Sequence, residues 1–449
     1  MTSNPSNPVA VTPEPDAVPL ARDGGFAGTV EERPRPAAGA RRVRAARGRV
    51  AVIGVDGSVL SAEARARVES AGLVVGGARN LAAVGVPDGV RTVVLGGLRE
   101  ALDEIAAAEG QAVVVASGDP GFFGIVRALR ERGHEVEVFP AMSSVARAFA
   151  KAGLSWEDAL VVSAHGRDLR RAANACRAHP KVAVLTAPGA GPAELARELA
   201  PAAPRTFVVC EDLGGSAERV TRCRPAEATT HGWQDPNVVI VLDEQHATGP
   251  RTWIAGARPG PAEWALAEDA FEHRNSLVTK AEVRAFVLAK LGPRVGDLVW
   301  DIGAGSGSVA IECARFGAAA IAVERDAESC ERIRANVRTH GVKVQVAHGP
   351  APLVLDHLPD PDAVFVGGGG PEVVEAAARR ALRVVVVALA AVERVGPALA
   401  ALAAAGRRAQ AVQLQASRLA PLPGDVHRLA ATNPVFVVWA TAEETGDAK

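Results

Sequence analysis

Tyrosine is absent from the 449-residue sequence, and only six residues are lysine, so nearly all of the 50 Lys and Arg side chains are arginine. Without a phenol group, no tyrosine can serve as a catalytic acid or base. Acidic and basic residues almost balance, giving a formal net charge of −1. Because no clustered basic face accompanies this balance, we predict neither a nucleic-acid partner nor attraction to anionic membranes.

Cysteine is scarce, and the five cysteines form no C-x-x-C pair. This pattern is typical of reduced thiols in a cytosolic protein and disfavours a disulfide framework or a bound metal. Long apolar runs are also missing. The most apolar run, VVVVALAAV at 384–392, ends at Glu393 and falls short of the roughly 20 residues of a membrane span. With no signal-peptide pattern at the N-terminus, we expect a cytoplasmic protein without a membrane partner.

The length and the 48% of hydrophobic residues suffice for two or more cores. Residues 1–48 are rich in Pro, Ala, Gly and Arg without apolar periodicity, which predicts a disordered tail. Over 49–245, short apolar runs alternate with helical patterns and predict an α/β domain with a mostly parallel sheet. The polar segment DEQHATGPR (243–251) marks a boundary, and 246–449 form a second domain of the same class.

The second domain begins with a predicted helix over 277–291, with Thr279 as N-cap and Glu282 as its capping-box partner. Five strand–helix units follow. The last two apolar runs, 409–417 and 434–440, have no long helix between them and predict an antiparallel pair. The pattern therefore predicts a doubly wound, Rossmann-like sheet with a reversed last strand.

The segment LVWDIGAGSGSVAIE (298–312) places Asp301 and three alternating glycines after an apolar strand. Such glycines let the backbone approach a ligand closely, and the loop ends where a helix begins. Glu324 ends the next strand, where a carboxylate can accept both hydroxyls of a ribose. A dinucleotide and a nucleoside-containing methyl donor both fit these features, although the G-x-G-x-x-G spacing is matched only weakly.

Asp301, the leading helix and the closing strand pair together resemble the class I S-adenosylmethionine-dependent methyltransferases. More specifically, HRNSLVTKAEVRAFVLAKL, VWDIGAGSGSVAIE and FVGGGG resemble the decarboxylating precorrin methyltransferases of cobalamin synthesis. In the first half, ASGDPGFFGIVRAL, FPAMSSVARAFAKAGLSWEDALVVSAHGR and VVCEDLGGSAERVT resemble the tetrapyrrole (class III) methylases. The resemblance covers about 49–440 and implies a tetrapyrrole methylase domain followed by a class I methyltransferase domain.

The resemblance implies C-methylation of a precorrin at ring carbons 5 and 15, with decarboxylation of an acetate side chain. It implies S-adenosyl-L-methionine as cofactor, a small-molecule tetrapyrrole substrate and a homo-oligomer, and it gives the decarboxylase role to the second domain. The donor is an activated sulfonium, so the enzyme mainly supplies proximity and alignment. No nucleophilic side chain is then required, and the sequence identifies no catalytic residue or proton donor.

In the second domain, the resemblance implies donor contacts at Thr279, Gly303, Ala304, Gly305, Ser306, Gly307, Glu324, Gly349 and Ala351. Glu324 would bind the ribose hydroxyls, and the loop HGPAP (348–352) would pass near the adenine. Pro350 stands where the family usually carries an aspartate, so this chain lacks that carboxylate. The glycines at 367–370 either line the floor of the cleft or form a flexible turn.

In the first domain, the resemblance implies donor contacts at Ser117, Gly118, Asp119, Pro120, Ser143 and Ser144. The two serines also begin a predicted helix and can cap it. The loop GVDGSVLS (54–61) is shorter than in the family. Because the substrate carries many carboxylates, basic side chains are candidate contacts. The substrate candidates are His165, Arg167, Lys280 and Glu393, with Arg284 placed behind them as a surface helix-pair residue.

Several alternatives stay open from the sequence. A nicotinamide-dependent oxidoreductase could use 303–324. A non-enzymatic module could bind S-adenosylmethionine or a corrinoid, although two donor loops in one chain argue against a scaffold. One half could be inactive, and the substrate could already contain cobalt.

Overall fold

The structure, a computed structural model, describes residues 47–199, 205–245, 255, 260–274 and 278–442. Residues 1–46 of the predicted tail and part of the predicted boundary at 243–251 lie outside these residues, whereas 47 and 48 belong to the first strand. Below, "N-terminal half" means residues 47–245 and "C-terminal half" means residues 260–442. Among the described residues, no helix has the length and apolarity to cross a bilayer.

The N-terminal half begins with a parallel five-stranded sheet, in the order β3-β2-β4-β1-β5. Helices follow the strands as the alternating pattern predicts. Its elements are β1 (Arg47–Val55), α1 (Ala62–Glu69), β2 (Leu73–Gly76), α2 (Ala78–Val84), β3 (Arg91–Val94), α3 (Leu98–Ala107), β4 (Ala112–Ser117), α4 (Ile125–Glu131) and β5 (His134–Phe139).

A second five-stranded sheet completes the N-terminal half, in the order β6-β7-β10-β8-β9. Its elements are α5 (Ser144–Ala152), β6 (Leu160–Ser163), α6 (Leu169–Ala178), β7 (Lys181–Leu185), α7 (Pro192–Leu199), β8 (Thr206–Glu211), β9 (Arg219–Cys223), α8 (Pro225–Ala228) and β10 (Asn237–Leu242). Only β6 and β7 pair in parallel, and β10 runs antiparallel to both of its neighbours. The prediction of a mostly parallel sheet is therefore right for the first sheet and wrong for the second.

The C-terminal half contains a seven-stranded sheet in the order β13-β12-β11-β14-β15-β19-β16. Its elements are α9 (Ala281–Leu291), β11 (Leu298–Ile302), α10 (Ser308–Arg315), β12 (Ala319–Glu324), α11 (Ala327–Thr339), β13 (Gln345–His348), β14 (Ala363–Val366), α12 (Pro371–Arg380), β15 (Val384–Leu389), α13 (Val395–Ala404), β16 (Ala409–Leu414), β17 (Ser417–Leu422), β18 (Val426–Ala431) and β19 (Val435–Thr441). β19 pairs antiparallel with β15 and β16, which confirms the reversed last strand. Apolar clusters cover both faces of the sheet, and Trp300 at its centre is fully buried.

The two halves meet through α6 of the N-terminal half. Arg170 forms a two-pronged ion pair with Asp362, with N–O distances of 2.7 and 2.9 Å. The Asn174 amide donates to the Gly296 carbonyl at 3.2 Å, and Lys343 pairs with Asp243. Asp362 and Gly296 precede β14 and β11, so the N-terminal half contacts the amino ends of the C-terminal strands. The carboxyl ends, where ligands bind in doubly wound sheets, remain on the other side.

Candidate active sites

A cleft of about 1050 Å³ lies at the carboxyl ends of β11, β12, β14 and β15. We call it the C-terminal cleft. The predicted donor residues that line it are Thr279, Gly303, Ala304, Gly305, Ser306, Glu324, Gly349 and Ala351. Lys280, Pro350 and all four glycines of 367–370 also line it. The structure thus brings together residues as far apart in the sequence as Thr279 and Gly370.

Glu324 is fixed by three backbone amides. Its Oε2 accepts from the Gly305 N–H at 2.9 Å, and its Oε1 accepts from Arg325 and Asp326 at 2.9 and 3.0 Å. The Glu324 carbonyl accepts in turn from the Gly349 N–H at 2.9 Å. A single residue at the end of β12 therefore organises both neighbouring loops of the cleft, and its carboxylate is pre-oriented there.

Gly303 lies directly against the second glycine loop. It adopts a φ of +70°, and a Cβ placed on it would come within 2.8 Å of the Gly368 nitrogen. Real side chains do not tolerate such an approach to backbone atoms. The two glycine loops therefore touch across the floor of the cleft, which favours the floor interpretation of 367–370 over a flexible turn.

Two buried polar atoms lining this cleft lack a hydrogen-bond partner among the described residues: Asp301 Oδ1 and Ser306 Oγ. The other carboxylate oxygen of Asp301 accepts from the Ala310 N–H at 2.9 Å. Burial raises the pKa of Asp301 to about 7, and the nearby charge of Glu324 adds to the rise. Unsatisfied buried polar atoms are costly, so this pair indicates a site built for the polar groups of a ligand.

Buried contacts fix the start of α9, which forms one wall of the C-terminal cleft. Arg284 is fully buried, pairs with Glu312 at 3.5 Å, and donates to the carbonyls of Thr279 and Leu266. Its guanidinium also lies 4.8 Å from the centre of the Phe271 ring. Arg284 is therefore a structural residue, and its prediction as a surface helix-pair residue is wrong.

The predicted N-cap of this helix is also wrong. α9 begins at Ala281, and its N-cap is Lys280, which makes no side-chain capping bond. Glu282, the expected capping-box partner of Thr279, instead accepts from Arg418 at 2.6 Å. Arg418 donates to Glu268 as well, at 2.8 Å, and these hydrogen bonds lower the pKa of Glu268 to about 2. Arg418 thereby ties β17 to the start of α9.

Two predicted site residues lie away from the C-terminal cleft. Gly307 faces α11, where a Cβ would come within 2.9 Å of the Ile333 side chain, so its role is close packing. Glu393 is exposed, and the neighbouring Arg394 lines the cleft instead. Sequence reasoning missed Arg394, because no motif distinguishes it from other exposed arginines.

A second cleft, of about 1030 Å³, lies in the N-terminal half and is called the N-terminal cleft. The predicted residues that line it are Ser117, Gly118, Asp119, Pro120, Ser143, Ser144, His165 and Arg167. Ser143 caps α5, accepting from the Ala146 N–H at 3.1 Å, which confirms the capping prediction. The Asp119 carboxylate closes its own turn by accepting from the Gly121 N–H at 2.8 Å.

The thiols offer no activated nucleophile in this cleft. Cys210 lines it, but burial raises the pKa of its thiol to about 12. A protonated thiol is a poor nucleophile. Among the cations, Arg147 is engaged with Glu218 at 3.2 Å and Arg79 with Asp212 at 2.7 Å. His165 and Arg167 are exposed at the rim.

Comparison with known proteins defines the class. Residues 52–229 match the family model of tetrapyrrole (corrin/porphyrin) methylases, and residues 269–442 match that of the precorrin methyltransferase domain. The chain is therefore a methyltransferase made of two such domains, and the nicotinamide-dependent and non-enzymatic alternatives are wrong. The exact boundary at 245/246 stays a prediction.

Individual relatives narrow the class further. A Sinorhizobium precorrin-6Y C(5,15)-methyltransferase (decarboxylating) is 38% identical over 340 residues, which are 72% of this chain and 79% of the relative. A Salmonella typhimurium cobalt-precorrin-7 C(5)-methyltransferase is 35% identical over 185 residues, 40% of this chain and 89% of the relative. A Pyrobaculum calidifontis protein named "probable cobalt-precorrin-6B C(15)-methyltransferase (decarboxylating)" is 34% identical over 187 residues, 39% and 95% respectively. The chain belongs to the family of decarboxylating precorrin-6Y C(5,15)-methyltransferases.

Proposed function

We propose that this chain transfers methyl groups from S-adenosyl-L-methionine to carbons 5 and 15 of precorrin-6Y and removes an acetate carboxyl group as carbon dioxide. The observation that carries the proposal is the presence of two separate clefts, one in each half, each containing a predicted donor loop. Each single-site relative covers about two fifths of this chain, which supports one methylation per half. The decarboxylation and the C15 methylation belong to residues 246–449, and the C5 methylation to 49–245.

The C-terminal cleft fits the methyl donor. Bound there, S-adenosylmethionine would supply an electrophilic methyl group on its sulfonium. The fixed Glu324 carboxylate is suited to accept the two ribose hydroxyls, and the Asp301 Oδ1 and Ser306 Oγ atoms can meet an ammonium or carboxylate. Gly349 and Ala351 offer backbone contacts to a base. Pro350 supplies no carboxylate, so we expect the adenine amine to be recognised without one.

In the N-terminal cleft the donor contacts are mostly backbone. The loop from Ser117 to Pro120 follows β4, and Gly118 adopts a φ of +62° with its α-carbon facing Ser143 and Ser144. That close approach of loop and helix start leaves amide groups near the end of β4. We expect the methionine part of the donor to lie at this junction.

The chemistry asks these residues mainly to align two reactants. A fixed donor loop and a fixed substrate wall convert a bimolecular encounter into an oriented one, which lowers the barrier without a nucleophile. Lys280 and Arg394 line the C-terminal cleft and can bind acetate or propionate groups of the substrate. His165 and Arg167 can do so in the N-terminal cleft. The conjugated macrocycle itself can accept the electron pair released with carbon dioxide.

The test uses the full-length chain with precorrin-6Y and methyl-labelled S-adenosylmethionine. The expected product carries two labelled methyl groups, at C5 and C15, and lacks one carboxyl group, with one carbon dioxide released per molecule. A product with labelled methyl groups elsewhere, or no turnover of precorrin-6Y, would overturn the proposal. Parallel turnover of a cobalt-containing substrate decides between the two ring forms. The cytoplasmic location and the homo-oligomer stay predictions.

A further inference from the structure

The N-terminal cleft contains an exposed aromatic pair that no donor contact explains. Phe122 and Phe123 both line the cleft, with 37% and 54% of their surface exposed. Their rings pack edge to face, with centroids 4.8 Å apart and planes at 72°. Large exposed apolar side chains inside a cleft indicate a ligand surface more often than an accident of folding.

The backbone of this pair is strained. Phe123 adopts a φ of +52°, a region that bulky residues avoid at a cost of about 1–3 kcal/mol. The next residue must be glycine, because a Cβ on Gly124 would come within 2.1 Å of the Pro120 carbonyl oxygen. Asp119 accepts from the Gly121 amide and its carbonyl accepts from the Phe122 amide, which closes the turn. The loop thus holds two phenyl rings toward the cleft at the expense of local stability.

An arginine follows the two phenylalanines closely in the sequence. Arg127 lies on α4, four residues after Phe123, and lines the same cleft. Among the described residues it has no ion-pair or hydrogen-bond partner, whereas Arg79 and Arg147 in this cleft are engaged. An unengaged arginine next to an apolar surface suits a flat apolar ligand with a peripheral carboxylate.

We propose that Phe122, Phe123 and Arg127 form the tetrapyrrole-binding wall of the N-terminal cleft. The two rings contact the face of the macrocycle, and Arg127 pairs with one of its peripheral carboxylates. The donor occupies the neighbouring part of the cleft, between the Ser117–Pro120 loop and the start of α5. The inference rests on the proposed function and names the residues that select its substrate in this half.

The test compares full-length Arg127→Gln with Arg130→Gln, an exposed arginine on the same helix that does not line the cleft. Loss of a charge-assisted contact is expected to raise the KM for the tetrapyrrole in C5 methylation about tenfold in R127Q. R130Q should match the wild type. The KM for S-adenosylmethionine, and the carbon dioxide released by the C-terminal half, should not change in either variant.

For the rings, Phe123→Gly removes the phenyl group and relieves the strained φ, so it should stabilise the loop while raising the tetrapyrrole KM. Phe123→Leu, which keeps an apolar side chain without a flat ring, should give an intermediate KM. The inference is wrong if R127Q behaves like R130Q, or if these variants raise the KM of the donor instead. Failure of the wild type to release carbon dioxide would refute the proposed function and not this assignment.

The position of the two clefts carries an independent inference. The N-terminal half docks on the amino ends of β11 and β14, through Asn174 and Arg170. The C-terminal cleft opens at the carboxyl ends of the same strands, which have five and four residues, so it lies roughly 15 Å away. The packed sheet, with Trp300 and Val364 fully buried, lies between this docking surface and the C-terminal cleft. Among the described residues, none from one half lines the cleft of the other.

We infer that the singly methylated tetrapyrrole leaves the chain between the two methylations, because a macrocycle cannot pass through this core. In an isotope-dilution experiment, the wild-type chain turns over labelled precorrin-6Y in the presence of excess unlabelled intermediate, prepared with a Gly118→Val chain. We expect the doubly methylated product to be diluted in proportion to the unlabelled pool. Full retention of label in that product would show direct transfer and overturn the inference.

Discussion

The Gly305 amide donates to Oε2 of Glu324 across 2.9 Å, joining the loop after β11 to the end of β12. The bond holds Gly305 and Glu324 together although 19 positions separate them in the sequence. The carboxylate both fixes the loop and lines the cleft, which is the basis of its proposed role in donor binding.

Replacing Glu324 by Gln should weaken donor binding without unfolding the loop, because the amide oxygen can still accept from Gly305. Loss of the charge-assisted bonds to ribose is expected to lower affinity by about 10- to 100-fold. Titration calorimetry with S-adenosylhomocysteine on the full chain measures this, with the N-terminal site as internal reference. Glu328→Gln, at an exposed position of α11, is the control. An unchanged affinity at both donor sites of E324Q would contradict the binding of ribose by Glu324.

Gly303→Ala should cost more stability than Gly341→Ala. Both glycines have left-handed φ values, +70° and +60°, so both substitutions carry a strain of about 1 kcal/mol. Only at Gly303 does the new Cβ collide with backbone, 2.8 Å from the Gly368 nitrogen, whereas Gly341 faces open space. Urea unfolding and C15 methylation should both separate the two variants. Equal losses would show that the contact between the glycine loops is unimportant.

Asp301 should make the C-terminal half less stable as the pH rises. Its pKa in the folded chain is about 7, above the roughly 4 of an unfolded aspartate. Between these values the folded state holds the extra proton, so the stability contributed by the protonated Asp301 is lost as the pH rises through that window.

Asp301→Asn removes this dependence. The variant should therefore gain stability relative to wild type between pH 4 and 8, by up to a few kcal/mol on the order set by the pKa difference. Hydrogen exchange in β11 across this pH range measures the change. Asp425→Asn, in the exposed turn between β17 and β18, controls for the substitution. A constant stability difference between D301N and wild type would refute the raised pKa.

Arg284→Met should destabilise the C-terminal half far more than Arg315→Met. Both arginines pair with Glu312, at 3.5 and 3.0 Å, but the Arg284 side chain is 0% exposed and that of Arg315 20%. Removing Arg284 leaves Glu312 with only the partly exposed Arg315 as a cation, and it takes the donor away from the Thr279 and Leu266 carbonyls, at a cost of about 3–5 kcal/mol. The double variant Arg284→Met/Glu312→Gln should recover part of the loss in urea unfolding. No recovery would place the cost in the lost carbonyl contacts instead.

The apolar runs predicted most strands closely, because buried β-branched segments such as 112–117 and 319–324 need only local sequence to be recognised. β2 and β9 were not among the predicted strands. β17 and β18 were missed because RLAPLPGDVHRLAA contains two prolines and no regular alternation. The reversal of β10 was missed for another reason, since strand direction depends on which neighbour it pairs with.

The cleft-lining positions on the glycine loops were predictable, apart from Gly307, because a short motif fixes both the backbone and its place at the sheet edge. Contacts between residues far apart in the sequence were not predictable. The start of α9 is set by Arg418, 136 residues after Glu282, and by the buried pairing of Arg284 with Glu312. The pairing of Arg170 with Asp362 joins the two halves, and neither residue belongs to a motif. Such contacts arise from tertiary packing, which local patterns do not encode.

The most direct test of two distinct sites in one chain uses full-length Gly118→Val and Gly303→Val. Each places a Cβ against backbone in one donor loop only, beside Ser144 or Gly368. With precorrin-6Y and labelled donor, G118V should release carbon dioxide and place one methyl group, at C15. G303V should release none, yet should methylate C5 of the intermediate that G118V produces. Carbon dioxide release by G303V at the wild-type rate, or a C5 methyl group in the G118V product, would contradict the account.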